Sequence, residues 1–411
     1  MPRRVLHFSD TLLGRTETFV QSRLFDSHAE AFRSVAATWR HVQDGLPIPC
    51  PFLVLDRHEP VGQNRGLARL VTGPRRVAAR NWEILRLILA ARPDVVHAHF
   101  GTVGATVAPF CAALGIPLVV SFYGVDLSLP AKDARLARAY ARMFRWAAAL
   151  TAEGPVLARR LVDLGAPRAH VRLLPLALPQ WALAAPPARA PRHPGRLRLL
   201  QVARFVEKKG VDLSIAALAA ARAQGVDVQL TLAGGGPLEP ELRQQASALG
   251  LEGDALCFIG YVSHDDLPPL LAQSDVLIQP SRTAASGDTE GGYPTILVEA
   301  MAQGVPVVGT RHADIPFVVR HGVTGLLSAE NDLDGLTENL LRLAATPGLH
   351  DNLAKQTRGS VARRHDPTTL LRLKERIYRE AMRRPRPMVR DAWRALPLPD
   401  PFSSTALGGA R

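Results

Sequence analysis

Short apolar runs rich in β-branched residues alternate with longer helical patterns along nearly the whole chain, and few folds are compatible with that order. In the second half the predicted strands are Leu197–Val202, Val228–Ala233, Ala255–Gly260, Asp275–Pro280 and Val305–Gly309. The helical patterns between them are Val211–Gln224, Leu238–Leu249, Asp265–Gln273 and Thr295–Gln303. Such alternation predicts βαβ units, and so a parallel sheet that helices cover on both faces.

The first half repeats this order less clearly. Its predicted strands are Arg4–Phe8, Phe52–Leu55, Asp94–Ala98, Pro117–Phe122 and Ala148–Ala152, and its helical patterns are Thr18–Ala29, Val77–Ala91 and Asp133–Ala147. The stretch Val95–Val125 has no charged residue and is long enough to span a bilayer. Its histidines, prolines and glycines favour a strand, a buried helix and a second strand instead.

Prolines between Pro175 and Gly195 exclude a continuous helix or an inner strand there and predict an interdomain linker. We expect two doubly wound α/β domains, 1–185 and 186–366, then a helix over 367–384 that packs back toward the first domain, and a loosely ordered tail over 385–411. Ligands of such sheets bind outside the carboxyl ends of the strands, so the cleft between the domains is the expected active site.

The net charge is +13, which favours phosphorylated ligands, anionic membrane surfaces or nucleic acid as partners. No nucleic-acid-binding motif is present, and we expect no nucleic acid partner. The three cysteines are too scattered for a disulfide framework or a zinc site. The apolar run after Met1 is too short for a signal peptide, so we expect a cytoplasmic protein.

The loop after the predicted strand Leu197–Val202 contains Arg204 and Lys209. Two fixed cations at the end of a parallel strand suit a diphosphate. The alternative is a solvated basic loop.

A glycine run, Gly234, Gly235 and Gly236, follows the next predicted strand. It allows the backbone to approach a ligand closely, or it is only a tight turn between strand and helix.

The strand Asp275–Pro280 leads through a polar loop to a helix predicted to start near Pro294. The first turn, Pro294, Thr295 and Ile296, offers amide groups to a phosphate. Glu299 in the helix suits the two hydroxyls of a ribose, and Glu290 in the loop suits sugar hydroxyls. Alternatively, Glu290 is a carboxylate favoured by the helix dipole and Glu299 an ordinary surface residue.

These elements, in this order, resemble glycosyltransferase family 4 (group 1), enzymes of bacterial polysaccharide and glycolipid assembly, over roughly Val5 to Met382. Further matching motifs are Phe258–Val262, Gly304–Val308 and Gly322–Leu327. The resemblance implies a GT-B fold, with two Rossmann-like domains facing across a cleft. It also implies transfer with retention of anomeric configuration from a nucleotide-sugar, a UDP- or GDP-sugar, to a glycan or lipid-linked acceptor.

The resemblance assigns the donor diphosphate to Arg204 and Lys209, the transferred sugar to Glu290 and the ribose to Glu299. Eight residues separate the two glutamates, one more than in the family pattern. Counted back from Glu299, Gly291 takes the usual carboxylate position, and we favour a glycine bulge that keeps Glu290 within reach. No cofactor or obligatory metal is implied, and Asp332, in the Asp-Leu-Asp sequence, is predicted to cap a helix.

In the first half the candidates are His99, Tyr123 and Asp126, each at or after the end of a predicted strand. The family commonly has histidine where Tyr123 stands. A tyrosine with a pKa near 10 is a poor base, so its role is open between orienting the donor sugar and orienting the acceptor. His99 is alternatively a satisfied structural residue. Arg15, Thr16 and Glu17 resemble a segment of exopolysaccharide enzymes and are assigned to the acceptor side.

Arg75–Arg92 is a basic amphipathic pattern with Val77, Ile84, Leu85, Ile88 and Leu89 on one side. Such a helix can lie on an anionic membrane surface, or it packs on its own sheet. A peripheral position on the inner face of the cell membrane is therefore a hypothesis. Three rival functions remain open: a nucleotide-sugar epimerase, a synthase with a soluble sugar or sugar-phosphate acceptor, and a non-catalytic partner subunit.

Overall fold

The computed structural model describes residues 2–12, 31–41, 50–55, 68–128, 130, 133–188, 196–251, 253–383, 393 and 396–402. The predicted helix Thr18–Ala29, the acceptor-side candidates Arg15, Thr16 and Glu17, and most of the tail lie outside these residues. The chain divides into two compact units. The first unit is Met1–Ala152, Ala158–Leu174 and Leu371–Arg411, and the second is Glu153–Leu157 and Pro175–Leu370.

The first unit contains a seven-stranded parallel sheet in the order β3-β2-β1-β4-β5-β6-β7. Its strands are β1 (Arg3–Leu12), β2 (Phe32–His41), β3 (Phe52–Val54), β4 (Val95–His99), β5 (Leu118–Ser121), β6 (Ala149–Ala152) and β7 (Val171–Leu173). The helices up to this point of the chain are α1 (Ala68–Ala91), α2 (Gly101–Ala113), α3 (Val125–Ser128), α4 (Ala134–Trp146) and α5 (Pro155–Asp163).

The second unit contains a six-stranded parallel sheet in the order β10-β9-β8-β11-β12-β13. Its strands are β8 (Arg196–Val202), β9 (Asp227–Ala233), β10 (Leu256–Gly260), β11 (Val276–Gln279), β12 (Val307–Thr310) and β13 (Gly325–Ser328). The later helices are α6 (Gln180–Leu183), α7 (Val211–Ala223), α8 (Glu239–Ala248), α9 (Leu267–Gln273), α10 (Thr295–Ala302), α11 (Ile315–Val318), α12 (Leu333–Ala345), α13 (Leu349–Arg364) and α14 (Pro367–Arg383).

Both faces of the second sheet are buried, which explains the near-continuous apolar runs in its strands. Alternate residues separate the two layers: Leu199 and Leu230 join the core beneath α7, α8 and α12, whereas Leu200 and Leu277 join the core beneath α10. The proline-rich segment after Leu174 belongs to the second layer, because Leu178 is buried there together with Ala182.

The sequence predicted ten of the strands, and the parallel α/β class is confirmed. Val95–Val125 forms β4, α2 and β5, as predicted, and no helix in the described ranges combines the length and apolarity needed to cross a membrane. The strands β2, β7 and β13 were missed. β2 places Ser34 and Thr38 among its buried positions, so its sequence lacks a continuous apolar pattern.

In each sheet the strand order reverses once, between β1 and β4 in the first unit and between β8 and β11 in the second. The helices that connect the strands therefore lie on opposite faces on the two sides of that point. Parallel sheets with this topology bind ligands at the carboxyl ends of the strands, at the reversal. The loops that follow these four strands are the places to look for function.

Candidate active site

An ion pair between a half-buried lysine and a buried glutamate spans the reversal point of the second sheet. Lys209, in the loop after β8, lies with its Nζ 2.7 Å from Oε1 of Glu290, in the loop after β11. Ser281 donates a hydrogen bond to the same carboxylate oxygen at 3.0 Å. Burial alone raises the pKa of Glu290, but the charge and hydrogen bond of Lys209 outweigh it and hold this pKa below its ordinary value. Glu290 is therefore a carboxylate at neutral pH.

Glycine at position 210 allows the loop after β8 to reach the end of β11. Its φ of 61° is in the left-handed region, and a Cβ there would lie 2.0 Å from the carbonyl oxygen of Pro280. A short 3₁₀ helix, Glu207–Lys209, ends at this glycine. The sequence Lys209-Gly210 thus brings the ammonium group to the carboxylate.

The two other cations of this loop differ in their surroundings. Arg204 is exposed and forms no ion pair with the described residues. Lys208 is buried, and its Nζ donates to Oδ1 of Asp288 at 3.1 Å and to the carbonyl oxygen of Thr289 at 3.3 Å. Sequence reasoning missed Lys208; the signal was a second lysine in a 3₁₀ turn, where neighbouring side chains point in different directions.

The glycine run after β9 has a structural explanation. Gly234 has a φ of 141°, and a Cβ there would lie 1.8 Å from the carbonyl oxygen of Ala203. A Cβ at Gly236 would lie 2.6 Å from the carbonyl oxygen of Phe205. The glycines let this loop pack on the backbone on either side of Arg204, and Phe205 donates its N–H to the carbonyl of Gly235 at 2.9 Å. The close approach of the loops after β8 and β9 therefore explains these glycines without a ligand.

Helix α10 begins at Thr295 with Pro294 as its N-cap residue, where the sequence predicted it. Ile296 is buried and Thr295 half-buried. Glu299, in the same helix, is only 7% exposed, so its interpretation as an ordinary surface residue is wrong. Burial raises the pKa of Glu299 to about 7. Its carboxyl group is therefore poised between its neutral and ionised forms at neutral pH.

A histidine that the sequence did not single out holds the loop of Glu290. The backbone N–H of Glu290 donates to Nε2 of His312 at 3.1 Å, and Nδ1 of His312 lies 2.7 Å from Oε1 of Glu330. Because a backbone N–H can only donate, Nε2 is the acceptor and Nδ1 carries the proton that Glu330 accepts. The pair His312–Glu330 fixes the backbone from which the Glu290 side chain extends.

In the first unit, Asp126 organises the loops that follow β4 and β5. Its carboxylate accepts hydrogen bonds from the backbone N–H groups of Gly101 at 2.9 Å, Gly124 at 2.8 Å and Tyr123 at 3.2 Å. Burial raises the pKa of Asp126 despite these hydrogen bonds. Tyr123 is 9% exposed, and its hydroxyl shares a 2.8 Å hydrogen bond with Nδ1 of the buried His99. The structure thus brings all three first-half candidates together.

Within the described part of the chain, one group of three residues places metal-ligand atoms within 4.8 Å of one another: His7, His97 and His99. All six of their ring nitrogens already lie within hydrogen-bond distance of protein partners. A metal ion there has to displace several of these bonds. Asp332 accepts a hydrogen bond from the N–H of Gly335 at 2.9 Å at the start of α12, which confirms its prediction as a helix cap.

The basic amphipathic pattern forms α1, and part of its apolar side packs within the first unit: Ile84 and Ile88 are fully buried. Val77, on the same predicted side, is 49% exposed, and Trp82 is 65% exposed. Packing on the sheet therefore explains part of the pattern and leaves the exposed indole unexplained.

The fold is that of GT-B glycosyltransferases. The crystal structure of Anabaena HepE in complex with UDP and glucose superimposes with a TM-score of 0.70 at 18% identity, over 90% of this chain and 98% of that chain. Residues 188–360 match the family described as glycosyl transferases group 1, and residues 28–177 match the glycosyl transferase 4-like domain.

Among curated proteins, the putative colanic acid biosynthesis glycosyltransferase WcaL of Escherichia coli is 34% identical over 252 residues, which are 61% of this chain and 61% of that protein. The amylovoran biosynthesis glycosyltransferase AmsK of Erwinia amylovora is 32% identical over 253 residues, again 61% of each. The chain thus matches less than two thirds of the length of these relatives. The two family matches, over residues 28–177 and 188–360, place it among the group 1 glycosyltransferases.

Proposed function

We propose that this protein is a retaining glycosyltransferase that moves a hexosyl unit from a UDP- or GDP-sugar to a glycan or lipid-linked acceptor in cell-surface polysaccharide biosynthesis. The names of two relatives, which assign them to colanic acid and amylovoran biosynthesis, support the pathway class. The UDP and glucose bound by HepE support the donor class.

The observation that carries this proposal is the Lys209–Glu290 pair at the reversal point of the second sheet. A nucleoside diphosphate leaving group needs positive charge where its own negative charge develops. The ammonium of Lys209 and the exposed guanidinium of Arg204 supply two such charges, and the first turn of α10, from Thr295, adds backbone N–H groups. Glu290 accepts hydrogen bonds from hydroxyls of the transferred sugar.

We assign the ribose of the donor to Glu299, whose ionised carboxylate accepts hydrogen bonds from both ribose hydroxyls. In the first unit, Tyr123 hydrogen-bonds a hydroxyl of the donor sugar or of the acceptor. Side-chain cations take the place of a metal in this mechanism, and no cofactor is needed.

The test is a panel of UDP-, GDP-, ADP- and dTDP-sugars with the purified full chain, scored by the shift in melting temperature and by release of nucleoside diphosphate. We expect one nucleotide class to bind, and Arg204→Ala and Lys209→Ala to abolish both signals. Arg222→Ala is the matched control, because Arg222 pairs with Asp227 at the amino end of β9, away from the site.

Absence of binding by every donor contradicts this function and favours the non-catalytic partner. Binding with transfer only to a soluble sugar or sugar-phosphate identifies the synthase. Interconversion of the donor sugar without transfer identifies an epimerase.

We further propose that the protein works in the cytoplasm in peripheral contact with the membrane, and that Trp82 contributes to this contact. An exposed indole beside arginines suits the interface of an anionic bilayer. Sedimentation with anionic liposomes at low salt tests it. Trp82→Ala is expected to reduce binding, whereas Trp146→Ala, at the other exposed tryptophan of the first unit, is the control. Equal sedimentation of all three proteins contradicts a role for Trp82.

A further inference from the structure

Polar side chains line one face of the first sheet near the carboxyl ends of its central strands. His7 in β1 and His97 and His99 in β4 are all at most 1% exposed. On the same face, Val5 and Val95 precede them and pack against Tyr378 and its neighbours in α14. The face therefore changes from apolar to polar along the strands, toward the edge where such sheets bind ligands.

Four of the side chains form one continuous hydrogen-bonded chain. Ser34 Oγ lies 3.3 Å from Nε2 of His7, and Nδ1 of His7 lies 3.0 Å from Nε2 of His99. Nδ1 of His99 then lies 2.8 Å from the hydroxyl oxygen of Tyr123. The chain begins inside the sheet and ends on Tyr123, just beyond β5.

His97 belongs to a separate chain, although its ring stacks on that of His99 with 4.6 Å between the centroids. Its Nδ1 lies 2.7 Å from the hydroxyl of Tyr378 and its Nε2 lies 2.8 Å from Oγ of Ser121. Ser121 continues to Thr151 at 2.6 Å. The two hydrogen-bonded chains lie side by side in the core of the first unit but end on different residues. A change in one chain can therefore be checked against the other.

One histidine of the first chain, His7, is neutral at neutral pH. Burial lowers the pKa of His7 well below its ordinary value, and the neighbouring imidazoles and the ammonium of Lys374 lower it further. A neutral imidazole has one donor and one acceptor nitrogen, so two neutral rings joined in this way donate in the same direction along the chain. In one direction, His99 donates to the oxygen of Tyr123, which leaves the phenol proton for another acceptor. In the other direction, Tyr123 donates to His99 and its oxygen accepts from elsewhere.

We propose that His7 and His99 are positioning residues that set, through their tautomers, whether Tyr123 acts as donor or acceptor toward a sugar hydroxyl. The identity of that hydroxyl rests on the proposed function, whereas the coupling of the three side chains does not. Ser34 anchors the far end of the chain, where its hydroxyl can turn to suit either direction. The site is thus set by residues that do not touch the substrate themselves.

The coupling is tested by NMR on the full chain with ¹⁵N-labelled histidine, which reports the tautomer of each ring. Tyr123→Phe is expected to change the ring shifts of His99 and, one step further, of His7, and to leave those of His97 unchanged. A second variant, His7→Gln, reads the chain from its other end and is expected to change His99. Unchanged His7 and His99 shifts in Tyr123→Phe, or a His99 shift indifferent to His7→Gln, overturn the proposal. The NMR measurement tests the coupling even if the protein turns over no donor.

The functional arm is a double-mutant cycle on nucleoside diphosphate release. His99→Gln and Tyr123→Phe are each expected to lower kcat about tenfold, the loss expected for one hydrogen bond to the reacting sugar, with the donor KM within about twofold. The double variant is expected to be no slower than Tyr123→Phe, because His99 acts through Tyr123. His97→Gln is the control for this cycle. The double variant His97→Gln/Tyr123→Phe is expected to lose kcat by the product of the two single losses, because His97 does not act through Tyr123.

If the losses in kcat of His99→Gln and Tyr123→Phe multiply in the double variant, the positioning role is contradicted and His99 is a structural residue. If the unmodified protein releases no nucleoside diphosphate from any donor, the proposed function fails while the NMR result still decides the coupling.

Discussion

The two units share one strand order around their reversal points, but the polar groups there are of opposite kinds. The second unit places charges in its loops: the Lys209–Glu290 pair and the exposed Arg204 follow strands whose buried polar residues, Gln201 and Gln279, are uncharged. The first unit places imidazoles and hydroxyls inside its strands, including His7 in β1 and His97 in β4. The same topology therefore serves two chemistries, and the residues that alternate along the strands decide which.

The difference follows from what each set of groups costs to bury. A buried charge needs a partner of opposite sign, which Lys209 and Glu290 provide for each other. Imidazoles and hydroxyls can be buried as neutral groups if every donor and acceptor is matched, as in the chain from Ser34 to Tyr123. Charges suit an anionic diphosphate, and neutral donors and acceptors suit sugar hydroxyls.

The largest expected effect on stability comes from removing one charge of the ion pair in the second unit. Lys209→Met leaves Glu290 as a buried carboxylate without its main counter-charge, and we expect the free energy of unfolding to fall by about 3 kcal/mol. Lys209→Met combined with Glu290→Gln is expected to recover most of that loss, because both groups are then neutral. Chemical denaturation measures the stability.

Both variants are expected to remain at least about 100-fold slower in nucleoside diphosphate release, because neither restores the cation. Recovery of stability together with activity contradicts the assignment of Lys209 to the diphosphate. An unchanged stability in Lys209→Met means that the two units do not differ in their dependence on buried charge.

A second prediction concerns a buried histidine of the second unit, His365. In the second unit Nδ1 of His365 donates to the carbonyl of Leu176 at 2.8 Å, and Nε2 is buried without a partner among the described residues. Burial lowers the pKa of His365 from 6.5 to about 4. Between these values the unfolded chain binds more protons than the folded one, so stability falls as the pH drops below about 6.5.

Over the full window, the contribution of His365 amounts to a loss of about 3 kcal/mol at pH 4. His365→Asn keeps a donor for Leu176 but cannot bind the proton, so its stability is expected to fall less than that of the unmodified protein between pH 7 and pH 4. Denaturation at both pH values measures the difference. Parallel curves for the two proteins contradict the prediction.

The class of fold could be predicted from the sequence, and so could the loops in which the candidate site residues lie. The apolar runs predicted five of the six strands of the second sheet, and Pro294 predicted the start of α10. The hydrogen bond between His7 and His99 joins residues 92 positions apart and exists only because β1 lies beside β4. Periodicity does not specify which strands are neighbours, and it gave no reason to pair His312 with the loop of Glu290. Such contacts between distant loops need the structure.

A third prediction concerns the one carboxyl group of the second-unit site that has no fixed charge. With a pKa of about 7, Glu299 is half protonated at neutral pH, and hydrogen bonds from ribose hydroxyls favour its ionised form. Nucleotide binding should therefore release a proton, and affinity should fall by up to about tenfold for each pH unit below 7. Calorimetry in buffers of different ionisation enthalpy measures both.

Glu299→Gln is the control, since it meets the same titration of the nucleotide phosphate but has no carboxyl group. We expect it to show a shallower pH dependence of affinity and less proton release. Equal slopes for the two proteins mean that Glu299 does not contact the ribose. Glu290, which Lys209 keeps ionised, and Glu299 would then differ in protonation without a difference in nucleotide binding.

The smallest expected effect is that of removing divalent metal ions. If Arg204, Lys209 and the start of α10 supply the positive charge that the diphosphate needs, EDTA should change the rate of nucleoside diphosphate release by less than about twofold, and Mg²⁺ should not rescue Arg204→Ala. A large loss with EDTA breaks the comparison between the units, because the charge would then come from a metal rather than from the second unit alone. His7, His97 and His99 in the first unit would be the group to examine, and His97→Gln distinguishes the cases. That variant should abolish the EDTA effect if the histidines bind the metal, and leave it unchanged if the metal is bound elsewhere.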